Sequence, residues 1–125
     1  MFRAIKFRIT YFLEGIRNLI AWRKVIYEDR NFDHYFIYEI LKTKLKFQAD
    51  HIKKYSLHQN AEEEVNRIVE CIDMIDKVQN EYYIDKALDQ ENVTLEIMEE
   101  AEKKHNETRT KLFETLSKNI EKWWD

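Results

Sequence analysis

The 125-residue sequence has no proline and one glycine, Gly15. Sheet proteins lean on glycine and proline at their reversals, and this chain has almost neither. Gly-rich phosphate loops are excluded on the same ground. Cys71 is the only cysteine. It rules out an internal disulfide, fits a reducing compartment, and leaves no Cys/His set for zinc. No base lies near it in sequence, so it reads as a buried thiol rather than a nucleophile. Long apolar runs are missing too. The longest stretch is broken by Glu14, Gly15, Arg17 and Asn18, so no membrane span is expected. The basic, apolar N-terminus lacks a clean apolar centre and a small-residue cleavage site, which argues against secretion.

What is present is charge, unevenly placed. Residues 1–60 hold 12 Lys/Arg and 6 Asp/Glu, a net of +6; residues 61–125 hold 9 and 18, a net of −9. The basic half also holds 12 of the 17 aromatic residues. Such a half suits an anion or a ring-bearing ligand. The acidic half opposes a long polyanion, which disfavours nucleic acid. Apolar residues make up 44% and charged residues 36%, ordinary for a folded helical chain and too apolar for a disordered one. The length predicts one domain over 1–125.

The apolar spacing predicts an all-α fold, an antiparallel bundle of about four helices over 3–27, 33–55, 60–88 and 92–124. In the first, Ile5, Ile9, Phe12, Ile16 and Leu19/Ile20 step at three and four. Ile5, Phe7, Ile9 and Tyr11 also alternate as a strand would, but no second alternating run offers a partner. This helix is expected to bend or end within 22–27. The second has Asp33 as N-cap and a stripe of Ile37, Leu41, Leu45, Gln48 and Ile52, widened by Phe36, Ile40 and Phe47. The third opens on Asn60 and Glu63, the pattern of a capping box. Its stripe runs from Ala61 through Val65, Ile68, Ile72 and Ile75 to Tyr82. The fourth aligns Met98, Ala101, His105, Thr108, Leu112, Leu116, Ile120 and Trp123. The third and fourth, about 45 Å each at 1.5 Å per residue, are expected to project as an extended acidic hairpin.

Several polar residues sit where chemistry is expected. His34, Tyr38, Lys42 and Lys46 follow at steps of four on one flank, a ring and cations for a phosphate or carboxylate. The blander reading is lysine stems covering apolar surface. Arg67 is the matching cation on the third helix and Arg109 on the fourth. His105 and Thr108 interrupt an apolar stripe, as a hydrogen-bonded helix contact or as part of a pocket. Glu102 and His105 have di-iron spacing, but the other histidines lack the second Glu-x-x-His; no metal and no cofactor are expected. Trp123 and Trp124 point about 100° apart, so one anchors the last turn while the other is available.

Three stretches carry a resemblance: Gly15 to Trp22 (GIRNLIAW), Glu28 to Lys42 (EDRNFDHYFIYEILK) and Asn119 to Asp125 (NIEKWWD). Together they resemble a family of small uncharacterised proteins of tailed bacteriophages, over about half of the chain. Relatives tend to have Trp where Phe32 stands and Pro near Lys24. The family has no assigned chemistry, so it supplies no catalytic residue. It implies an accessory role in the cytoplasm of an infected bacterium.

These readings converge on a non-catalytic accessory, anti-defence protein, not an enzyme. It is expected to bind and sequester a small anionic, nucleotide-like host signal through His34, Tyr38, Lys42, Lys46, Arg67, His105, Arg109, Trp123 and Trp124. The alternative is an interaction module that inhibits or adapts a host protein through the acidic hairpin. Opposite charge in the two halves also predicts a homo-oligomer.

Overall fold

A computed structural model describes residues 1–57 and 59–124. Among them every regular element is helical: α1 (Phe2–Glu28), α2 (Tyr35–Tyr55), α3 (Ala61–Gln79), α4 (Tyr82–Leu88) and α5 (Leu95–Asn119), then a 3-10 turn, Ile120–Lys122. The chain divides into two units, Met1–Asp33 and His34–Asp125.

The first unit is essentially α1. It runs unbroken through 22–27, where a bend or end was expected. Two arginine side chains bond back to nearby carbonyls. Arg23 Nη1 donates to the Ile20 carbonyl at 2.9 Å, and Arg30 Nη1 donates to the Tyr27 and Asp29 carbonyls at 3.0 and 2.7 Å. The Arg30 bond to Tyr27 satisfies a carbonyl that the helix end leaves without a partner. No residue of α1 is buried.

The second unit has the core. Early α2 meets late α3, since Gln79 reaches Tyr35, Glu39 and Lys42. Early α3 meets late α5 through Glu70 and Lys111, and Tyr83 meets Thr108. Gln48 reaches Trp123 while Tyr38 lies beside Phe113. α2 and α5 therefore run the same way, and α3 with α4 runs against both. Ile52, Ile68, Ile75, Leu112 and Cys71 are fully buried between them.

The expected third helix is two helices. Asn80 donates its side-chain amide to the Asp76 carbonyl at 3.0 Å and to Asp76 Oδ1 at 3.1 Å, and Glu81 takes a left-handed conformation at φ 52°. A side chain competing for backbone acceptors ends a helix, and the left-handed residue re-aims the chain. α4 then packs on α5, so no bare hairpin of two 30-residue rods forms.

The caps also differ from expectation. His34, not Asp33, is the N-cap of α2, and neither it nor Asn60 makes a side-chain capping bond. Glu62, Glu63 and Glu64 still lie at the positive end of the α3 dipole. Thr94 is the capping side chain, accepting from the Ile97 N–H at 3.2 Å.

The core face of α2 keeps Leu45 and Ile52 of the expected stripe but is turned by about one position at Tyr38, Lys42 and Ala49. Tyr38, Lys42, Leu45, Ala49 and Ile52 are buried, while Ile37 and Ile40 are exposed. The turn puts a lysine inside, and the reason is the set of acceptors waiting on α3.

Candidate functional site

Lys42 lies at the α2–α3 contact, one turn after Tyr38. Its Nζ donates to Gln79 Oε1 at 2.6 Å and to Asp76 Oδ1 at 3.4 Å, and lies 3.3 Å from Glu39 Oε2. Gln79 is buried too; its Nε2 donates to Glu39 Oε2 at 2.6 Å and to the Tyr35 carbonyl at 3.2 Å. Each polar group thus has partners, as burial requires. Partial burial alone raises the Glu39 carboxyl. The hydrogen bonds from Gln79 and Lys42, with the charges of Lys42 and Lys46, outweigh it and hold that carboxyl below its ordinary value. This cluster is a structural clasp: the ammonium faces acceptors of its own chain.

The other expected ligand groups do not join it. His34 is exposed, with its ring edge-on to Tyr38 at 5.9 Å. Tyr38 is in the core, 6.5 Å from the Phe113 ring. Lys46 is exposed. Arg67, about two and a half helical turns before Asp76, is exposed and pairs with Glu70 at 3.2 Å. His105 is half-buried on α5; its Nδ1 is buried with no hydrogen-bond partner among the described residues. Thr108 donates to the Tyr83 hydroxyl at 3.3 Å. Arg109 is exposed. Trp123 belongs to the core, and its carbonyl accepts from Gln48 Nε2 at 2.9 Å; Trp124 is 61% exposed. His34, Tyr38 and Lys42 share a flank as expected. Arg67 and Trp123 do not join them.

Several hollows mark the surface of the described residues of the second unit. A shallow depression of about 620 Å³ runs along α5, with Glu99, Glu102, Glu107 and Glu114 against Lys103 and Lys111. A second, of about 490 Å³, is lined by Arg109, Phe113, Ser117 and Lys118. A more enclosed cleft of about 250 Å³ lies between α4 and α5, with Tyr83, Lys86, Gln90, Glu100 and Lys104 on its walls. The sequence reading missed Tyr83, Lys86 and Lys104, because the cleft exists only through the break at Asn80–Glu81. Asn80, a residue tolerated at helix C-termini, was the available signal. Among the described residues no group of three or more His, Cys, Asp or Glu is placed to hold a metal ion. Among the described residues no helix is long and apolar enough to cross a membrane.

Compared with known proteins, the chain matches no family model, no curated protein and no solved structure.

Proposed function

We propose that this chain is a non-catalytic protein-interaction module that engages a basic partner surface along the outward face of α5. The supporting observation is where charge stays open. Carboxylates line the depression on α5, whereas the buried cation of the second unit is enclosed by its own acceptors. Charge complementarity of this kind sets orientation and association rate. The bacteriophage resemblance implies an accessory role in an infected bacterium, which favours a host protein as the partner that the module blocks or adapts. The test is capture of host proteins on the immobilised chain, beside the double variant Glu102→Lys/Glu107→Lys. A specific partner is expected to bind the parent at least about ten-fold better at low salt. Equal capture by both overturns the reading.

The cleft between α4 and α5 favours a second reading, sequestration of a small anion. Tyr83 offers a ring, and Lys86 and Lys104 offer cations across about 250 Å³. That space suits a phosphate-bearing fragment more than a whole dinucleotide. Calorimetry with a panel of mono- and cyclic dinucleotides tests it. Heat that disappears in Lys86→Ala/Lys104→Ala supports it, and a silent panel removes it.

A further inference from the structure

α1 has an apolar stripe with nothing on it in its own unit. Ile5, Ile9, Phe12, Ile16, Leu19 and Ile26 are all exposed. Their steps are four, three, four, three and seven, with Arg23 completing the last step as four and three. That is a strict heptad seam over the whole helix. β-branched Ile9 and Ile16 fall at one seam position, and Phe12 and Leu19 at the other. Such a seam is the pattern by which two helices interlock. We propose that α1 pairs with α1 of a second copy, antiparallel, about a two-fold axis near residue 14.

Three features select this occupant and this direction. First, Arg23 is the single polar residue in the seam. Parallel pairing would bury two guanidinium groups against each other. Antiparallel pairing sets each against Ile5 of the other copy, near an open end, and separates the two by about 27 Å at 1.5 Å per residue. Second, the register is self-complementary: Ile9 faces Leu19 and Phe12 faces Ile16 of the partner, as a closed two-fold contact requires. Third, the only glycine sits beside the axis. A Cβ added at Gly15 meets nothing within 4 Å in its own unit. The edge of the seam beside the axis is therefore open, with room for a partner helix and for a small side chain.

Charge separates this occupant from an anionic one. α1 carries six Lys/Arg and two Glu. A lipid surface rich in phosphatidylglycerol would hold it best at low salt. A second α1 is repelled at low salt and bound better once charges are screened.

The experiment uses the full chain. Sedimentation velocity at 50 and 500 mM NaCl is expected to show a species of twice the 15.5 kDa chain mass, more populated at high salt. Ile9→Asp/Ile16→Asp is expected to return it to one copy while the second unit keeps its helical signal. A short bis-maleimide is expected to link Gly15→Cys chains about ten-fold more than Glu14→Cys chains, whose thiols point away from the seam. Cys71 is buried and contributes no background. A monomer at both salts overturns the proposal. So does equal cross-linking at 14 and 15, or a monomer that binds phosphatidylglycerol vesicles through the same isoleucines.

Discussion

Lys42 and Gln79, 37 residues apart, meet at 2.6 Å inside the second unit and join α2 to α3. Gln79 is the hub. Its carbonyl oxygen takes the ammonium and its amide feeds Glu39 and the Tyr35 carbonyl. Gln79→Ala leaves those groups short of partners. It is expected to cost about 1–3 kcal/mol in urea unfolding. Gln79→Glu, which keeps acceptors for Lys42 but loses the donors and repels Glu39, is expected to fall between the parent and the alanine variant.

The same cluster predicts an acid-side loss of stability. The folded chain holds the Glu39 carboxyl below its ordinary 4.5. Its contribution is complete above that value and drains away as pH falls through the lower one. The urea midpoint is expected to drop as pH falls below about 4.5, and Lys42→Met is expected to flatten that part of the curve. An unchanged slope in Lys42→Met contradicts the assignment.

Cys71 is buried among the isoleucines. Burial pushes its thiol up to about 11; the Glu70 charge adds to this and Arg67 opposes it. The thiolate is the reactive form. Native protein at pH 8 is expected to resist iodoacetamide for hours and to react fully in 6 M guanidinium, read by intact mass. Rapid native labelling would place the thiol outside the core.

Glu81 holds a left-handed backbone at φ 52°, which costs a non-glycine residue about 1 kcal/mol or more. Glu81→Gly is expected to raise the urea midpoint, and Glu81→Val to lower it by a larger step. A neutral glycine variant would mean that α3 and α4 are joined by some other conformation.

The helices were legible because their apolar residues recur at three and four. The expected 3–27 and 33–55 became Phe2–Glu28 and Tyr35–Tyr55. The break at Asn80–Glu81 was not, because the stripe from Ile75 through Val78 to Tyr82 keeps step across it. A left-handed glutamate leaves no trace in composition. On α2 Leu45 and Ile52 were legible as core, but Lys42 was not, because counting apolar residues cannot see a lysine whose charge is met from another helix. For the site, a shared flank was legible for His34, Tyr38 and Lys42. Whether Arg67 joined them depended on α3 rotation, which Ile68 and Cys71 set by entering the core.

α3 is the element that touches both α2 and α5, and it contributes Ile68, Cys71, Met74, Ile75 and Val78 to the core. No opening of the second unit that keeps either neighbour in place releases it. Its amides are therefore the last to trade hydrogen for deuterium, at the free energy of complete unfolding. Those of α4, covered on one side by α5, exchange through smaller openings.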